Sequence, residues 1–355
     1  MQAKRVLVLF GGCSPEYSVS LQSAYSVLSV LDRRKIEPIA IGITRSGKWF
    51  RYFGDLSGIL SDTWHLRKSE CTPALISPDR DRHVVIELHK NQIIQTEFDI
   101  AFPVLHGKNG EDGTLQGLFE AAGIPFVGCG MLCSALCIDK YKAHEAVARI
   151  GIKVPACFIA SGKVSMEEIQ NMAENLTFPL FVKPVKAGSS FGISQIERAE
   201  ELPGAVDTAL LYDDQVILEE RITGSEVGCA ILGNDELVLG TPDEIELNGG
   251  FFDYTEKYTL KTSKIHVPAR IDKHTAAQIS QTAVSIYKVL GCRGFARVDL
   301  FLTPENDIVF NEVNTIPGLT AHSRYPNMMK GAGYQLSDIV NKLISLGLAD
   351  ENHSS

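Results

Sequence analysis

RVDLFLTPENDIVFNEVN, residues 297 to 314, is the stretch whose reading decides the fold. It parses as two strands joined by a polar turn. Side chains alternate across a strand, so Phe295, Arg297 and Asp299 share one face, and Glu312 with Asn314 repeats that period of two on the neighbouring strand. Four polar groups therefore point into one cleft. Magnesium takes oxygen ligands in near-octahedral geometry and keeps waters and phosphates in its shell, so Asp299, Glu312 and the amide oxygen of Asn314 suffice to hold it. Taken by itself, the segment also fits a solvated hairpin face.

A second stretch, FVKPVKAGSSFGISQI (181 to 196), has an apolar strand delivering Lys183, then a small-residue loop, then another strand. Gly188, Ser189, Ser190 and Gly192 let backbone amides approach an anion, and Lys183 adds a point charge for phosphate oxygens. No GxxxxGK[ST] sequence is present, so this is not a Walker loop. A flexible Gly/Ser turn is the alternative for the loop alone.

Toward the N-terminus, strands are expected at 4 to 10, 36 to 43 and 98 to 104, with helices following Ser20 and Thr114. That alternation predicts a Rossmann-like parallel sheet. Gly11 and Gly12 open a tight strand-to-helix turn that lets Glu16 project over the cleft beyond the strand ends. A dinucleotide fingerprint, GxGxxG, is absent. The chain divides into an N-terminal domain (1–128), a central α/β lobe carrying Lys140 and the phosphate loop (129–217), and a strand-rich C-terminal lobe (218–350). Helices are expected in that last lobe at 273 to 290 and 336 to 346, and the tail after Asp350 reads as disordered.

Composition restricts the function class. A formal charge of −9 without long Lys/Arg blocks argues against a nucleic-acid or anionic-membrane surface. VLVLF (6 to 10) is too short for a signal peptide or a span and runs into a glycine turn, so a cytoplasmic protein is expected. Eight scattered cysteines do not form a disulfide framework. Cys129, Cys133 and Cys137 recur every four residues, yet zinc sites usually pair CxxC units or add histidines, so a metal role for them is not expected.

Together these segments resemble the ATP-grasp superfamily, and more closely the D-alanine–D-alanine ligase family. The resemblance runs through LFGGCSPEYSVSL (9–21), FPVLHGKNGEDGTLQG (102–117), the 181–196 loop, EERITGSEVG (219–228), DYTEKY (253–258), GFARVDLF (294–301) and NEVNTIPGLTAHSRYP (311–326). It implies an α/β ATP-grasp fold of three lobes, a Rossmann-like sheet followed by two α+β lobes clasping ATP. Lys140, Lys183, Ser190 and Lys257 then contact the nucleotide and its phosphates. Glu219 and Ile222 flank the adenine edge and Glu226 takes the ribose hydroxyls, although Glu220-Arg221 replaces the family's lysine-aromatic pair. Two Mg²⁺, with Mn²⁺ as a substitute, fall to Asp299, Glu312 and Asn314.

In the implied reaction the carboxylate of a first D-alanine attacks the γ-phosphorus, and the amine of a second substrate displaces the resulting acyl phosphate. The resemblance gives Glu16 the first ammonium, with His106 beside it, and gives Arg297 and the Gly318 amide the tetrahedral oxyanion. A structural salt bridge for Arg297 and a turn-capping role for His106 are the alternatives. Residues 247 to 264, with Lys257, read as a lid that keeps water from the acyl phosphate.

Choice of acceptor is expected to turn on two places. Tyr258, linked through Ser189 to Glu16, is the family's mark of an amine acceptor, whereas D-lactate-using relatives carry histidine there. HSRYPNMM (322 to 329) is similar to the glycopeptide-resistance ligases, most of all the G-type D-alanine–D-serine enzymes, and replaces aliphatic residues by Arg324-Tyr325. Ser323 and an arginine fork at Arg324 can hydrogen-bond a hydroxyl that leucine cannot; otherwise Arg324 binds the acceptor carboxylate or packs in the wall. A D-alanine–D-serine ligase for peptidoglycan precursors is thus the first expectation, and a D-alanine–D-alanine ligase the second. A nucleotide-binding regulator without catalysis comes last. A homodimer is implied by the resemblance alone.

Overall fold

The computed structural model describes residues 3–247 and 263–350. Those residues form three sheets in chain order. Next to one edge of the first, in the middle of its parallel part, is Lys4–Gly11, whose residues Val6 to Phe10 are wholly buried, as expected of a parallel strand covered on both faces. It pairs in parallel with Ile36–Ile43 on one side and Ile100–Pro103 on the other.

Beyond Ile36–Ile43 the expected parallel pattern stops. Trp49–Tyr52, Cys71–Ile76, Val84–Leu88 and Ile93–Glu97 extend the sheet antiparallel, giving seven strands of which three are parallel. The cause is local. Residues 44 to 48 close a tight turn with Gly47 at φ +78, which fits a hairpin, whereas a parallel return needs a helical crossover. The outermost strand faces solvent, with Ile93 66% exposed.

The helix expected after Ser20 begins earlier, at Tyr17, and runs to Val30. Ser20 lies inside it, accepting from the Gly11 amide at 2.8 Å and donating to the Val104 carbonyl, which locks the glycine turn onto two strand ends. Thr114–Ala121 follows as expected.

The second sheet is antiparallel, in the order Ser194–Ile196, Leu180–Pro184, Gln215–Glu220, Cys157–Ser161. Met166–Ala173 and Leu202–Leu210 cover it through a core that includes Leu180, Val182, Val206 and Val216. The third sheet runs Ser263–His266, Asp243–Leu247, Ser225–Leu232, Phe295–Leu302, Ile308–Asn314, and Lys273–Val289 packs against its centre. That helix starts where the Asp272 carboxylate accepts from the amides of His274 and Thr275.

The final helices, Arg324–Gly331 and Leu336–Ala349, do not stay with the third sheet alone. Tyr325, Met328, Val340 and Leu343 share a buried core with Val8, Phe10 and Phe102 of the first sheet. The last helix ends three residues beyond the expected 346. The two ends of the chain are thereby packed into one body, and the cleft between them is fixed by that core.

Candidate active site

The strand pair read from 297 to 314 is present and antiparallel, with Arg297 opposite Asn314 and Asp299 opposite Glu312. Register shifts between Asp299 and Leu300, so Leu300 faces Phe310 and Asn311 becomes an extra residue. The Asn311 carbonyl meets His144 Nε2 at 3.0 Å. This bulge lets Phe310 join Val298 and Leu300 in the core while Glu312 and Asn314 stay beside Arg297 and Asp299.

Asp299 is the hub of this floor and only 1% exposed. Arg297 donates to it from Nε at 2.8 Å and Nη2 at 2.7 Å, and Asn314 Nδ2 donates at 2.9 Å. Burial works against the Arg297 charge, but Asp299 outweighs it and holds the guanidinium above its ordinary value. Two carboxylates and an amide on one face of a rigid strand pair make a hard-oxygen donor set that suits Mg²⁺.

Arg324 is tied down by carboxylates. It starts the helix Arg324–Gly331 behind Ser323 and is buried, with Nε and Nη2 each donating to Asp243 at 2.8 Å. Nη1 donates to Glu226 at 2.7 Å and lies 3.2 Å from Asp299 Oδ1. Three carboxylates thus occupy the fork that was expected to meet an acceptor hydroxyl. A Cβ on Gly228 would come within 2.5 Å of Nη2, so only glycine leaves room there. Tyr325 is a core residue, its hydroxyl on the Ile231 carbonyl at 3.0 Å.

One cavity of about 80 Å³ gathers Glu16, His106, Ser189, Arg297, Gly318, Ser323 and Arg324 from three parts of the chain. Glu16 is buried and caps the Tyr17–Val30 helix by position, while its carboxylate accepts from the Ser189 hydroxyl. Two glycines crowd that carboxylate. A Cβ would lie 2.2 Å from Glu16 Oε2 at Gly107 and 2.8 Å at Gly188. Ser189 and Ser190 both adopt left-handed φ, +49 and +59, which turns the loop back over Glu16. Ser323 Oγ accepts from the Thr320 amide at 3.2 Å, and a Cβ on Gly318 would strike it at 2.7 Å.

His106 is fully enclosed. Its Nε2 sits 3.1 Å from Ser23 Oγ, which also accepts from the Leu319 amide. Burial lowers its pKa to about 4, so the imidazole is neutral near pH 7.

A smaller adjoining cavity of about 30 Å³ is shared by Glu16, Lys140, Gly188, Glu312 and Asn314. Lys140 Nζ donates to the Ala187 carbonyl at 2.6 Å, tying the Lys140–Ala148 helix to the small-residue loop. Lys183 reaches Glu219 Oε1 at 2.5 Å, a buried pair linking neighbouring strands. Burial pushes the Glu219 carboxyl up, but Lys183, helped by His144, prevails and holds it below the usual range. Ile222 is half-buried in the link between Gln215–Glu220 and Ser225–Leu232, and Glu226 is the second residue of the latter strand. Lys257, Tyr258 and nearly all of the expected lid lie outside the described residues.

Glu111, within FPVLHGKNGEDGTLQG, is a site residue beyond those expected from sequence. It is buried in both cavities, accepting from the Gly107 amide at 2.6 Å and the Ile316 amide at 3.2 Å. Burial and then the Glu16 charge raise it to about 8, against the pull of those two amides. A carboxylate five positions after His106 in a glycine-rich loop was the signal. Asp243, the other anchor missed, sits in an ordinary-looking strand and gave none.

Comparison with known proteins places this geometry in a family. The D-ala D-ala ligase N-terminus model matches residues 5–129 and the D-ala D-ala ligase C-terminus model matches 147–345. The chain is 54% identical to the VanG D-Ala:D-Ser ligase of Enterococcus faecalis, whose crystal structure superposes with a TM-score of 0.90 over 98% of this chain and all of that one. It is 41% identical to the D-alanine–D-alanine ligase of Caldicellulosiruptor bescii over 98% of this chain and 96% of that protein. Identity to the vancomycin/teicoplanin A-type resistance protein VanA of Enterococcus faecium is 40%, over 98% and 99%. The chain therefore belongs to the D-alanine–D-alanine ligase family, as an ATP-dependent ligase of the ATP-grasp fold that forms peptide bonds.

Proposed function

We propose that this enzyme joins D-alanine to D-serine through a D-alanyl phosphate, supplying peptidoglycan precursors that end in D-Ala-D-Ser and so withstand vancomycin. The observation that carries the reading is 54% identity along nearly the full length to a protein described as a D-Ala:D-Ser ligase. The polar end of the larger cavity, lined by His322, Ser323 and Arg324, is in keeping with a hydroxylated acceptor. D-alanine–D-alanine ligation is the second reading, favoured by the commitment of the Arg324 fork to Asp243 and Glu226.

On this reading Glu16, oriented by Ser189, holds the ammonium of the first D-alanine, and neutral His106 shapes the pocket without adding charge. Arg297 and the Gly318 amide meet the oxyanion as the amine attacks. Lys140, Lys183, Ser190, Glu219, Ile222 and Glu226 form the nucleotide side, Lys257 reaches the γ-phosphate, and Tyr258 completes the link from Ser189 to the acceptor. Asp299, Glu312 and Asn314 would hold two Mg²⁺, which when bound would supply charge neutralisation to phosphoryl oxygens. The domains are 1–128, 129–217 and 218–350, the lid is 247–264, and the enzyme works as a cytoplasmic homodimer. Among the described residues no helix is long and apolar enough to cross a membrane.

The test is product analysis with ATP, Mg²⁺, D-alanine and equimolar D-serine, separating dipeptides by mass. Predominant D-alanyl-D-serine supports the proposal. Predominant D-alanyl-D-alanine replaces it by the second reading.

A further inference from the structure

Four buried cysteines from two distant stretches meet beneath the third sheet, and Cys137 among them also lines the smaller cavity. Cys133 and Cys137 lie four apart on the helix Met131–Ile138, hence on one face, and Cys129 precedes that helix. Cys292 comes from the link between Lys273–Val289 and Phe295–Leu302. None is more than 6% exposed. Cys133 Sγ is 3.8 Å from Cys137 Sγ and 3.6 Å from Cys292 Sγ. The sulfurs of Cys129, Cys133 and Cys292 all lie within 4.8 Å of one another.

Buried thiols commonly act as small apolar fillers. Two observations go beyond that role. A tetrahedral ion with metal–sulfur bonds of about 2.3 Å has sulfur–sulfur edges of about 3.8 Å, and the separations of 3.6 and 3.8 Å match that edge. The Arg293 amide also donates to Cys129 Sγ at 3.4 Å, the kind of support that a metal-bound thiolate receives. A disulfide, by contrast, joins sulfurs in pairs at about 2.0 Å and has no use for a cluster.

We propose that Cys129, Cys133 and Cys292, joined by Cys137 once its sulfur turns toward them, form a structural site for a thiophilic divalent cation, Zn²⁺ being the fitting ion, distinct in its sulfur ligands from the oxygen-lined Mg²⁺ floor. Binding replaces four S–H bonds by four metal–sulfur bonds and releases four protons to solvent, with no change of oxidation state. The site then carries two net negative charges, offset by the Arg293 amide and the first turn of the Met131–Ile138 helix. Its position gives it a use. It pins the helices leading to Lys140 against the start of the strand that carries Arg297 and Asp299.

The test is Co²⁺ substitution of the full chain under reducing conditions. Tetrahedral thiolate ligation is expected to give visible d–d bands and near-ultraviolet sulfur-to-cobalt charge transfer, displaced by about one equivalent of Zn²⁺. Co²⁺ on the Mg²⁺ floor, bound by oxygen, gives no such charge transfer. Cys133→Ser and Cys292→Ser should each remove most of the charge-transfer intensity, and Cys13→Ser, at an exposed thiol, should leave it intact. Absence of these bands in the unmutated protein overturns the proposal, as does their persistence in the Cys133→Ser/Cys292→Ser double variant. Should the variants fail to fold, the unmutated spectrum still decides.

Discussion

Arg324 grips Asp243 through two parallel hydrogen bonds of 2.8 Å, and Asp243 is completely buried. The same guanidinium reaches Glu226 and Asp299, so one side chain on the final helices sets the position of carboxylates on three neighbouring strands. Burial opposes the Arg324 charge, but Asp243 and Asp299 outweigh it and raise the guanidinium well above its ordinary value.

Arg324→Leu is therefore expected to do more than alter acceptor choice. Removing one partner of a buried pair leaves the other uncompensated, at a cost of about 3–5 kcal/mol. Urea midpoints should show that loss, and Asp243→Leu added to Arg324→Leu should recover part of it in a double-mutant cycle. If Arg324→Leu leaves stability intact and changes only the D-serine to D-alanine product ratio, Arg324 acts on substrate and not as a brace.

Gly107→Ala should lower kcat/KM for D-alanine at least tenfold, about 1.4 kcal/mol. Its φ of +70 disfavours any side chain, and the added carbon would sit 2.2 Å from Glu16 Oε2. Gly123→Ala is the control, since Gly123 has φ +62 but its nearest neighbour would be 3.5 Å away. Equal losses of activity in both variants would attribute the effect to backbone strain.

The pH dependence of stability should carry a contribution from His106. Its pKa falls from 6.5 to about 4 in the folded protein, chiefly through burial. Between those values the unfolded chain binds more protons, so the contribution is complete above pH 6.5 and lost as pH falls to about 4. Over that window the protein should lose about 3 kcal/mol more than His106→Gln does. Parallel curves from denaturant titrations would remove His106 from the account.

Glu312→Gln should raise the Mg²⁺ concentration needed for half-maximal activity by about tenfold or more, because a neutral amide oxygen is a weaker ligand for a hard cation. Asp299→Asn is less clean, since it also releases Arg297 and Arg324. Activity titrated against Mg²⁺ at saturating ATP checks this, and an unchanged midpoint for Glu312→Gln would take Glu312 out of the metal site.

The Arg297, Asp299, Glu312 and Asn314 face was legible because strand alternation is a local rule and the turn between the strands is short. Glu16 was legible from the glycines that precede it. The antiparallel extension from Trp49 to Glu97 was not read. Its strands leave Leu75, Leu88, Ile93 and Ile94 exposed, so the apolar pattern that marks a strand in a core is blurred there. Cys292 and Asp243 were equally silent, since each matters only through partners more than eighty residues away that chain folding brings close. Arg324 was noticed, but nothing in its neighbours along the chain announces the carboxylates that claim it.

The extra residue at Asn311 works on the strand pair as a shift of reading frame. Upstream of it, even-numbered positions such as Phe310 face the interior; downstream, that place passes to the odd-numbered Val313, which frees Glu312 and Asn314 for the cleft. Loss of that one residue would turn the Glu312 and Asn314 side chains inward or expel Phe310, since a one-residue slip exchanges the two faces of a strand. Evolution along this stretch can therefore proceed by replacement, but insertions and deletions here are closed to it unless they come in compensating pairs.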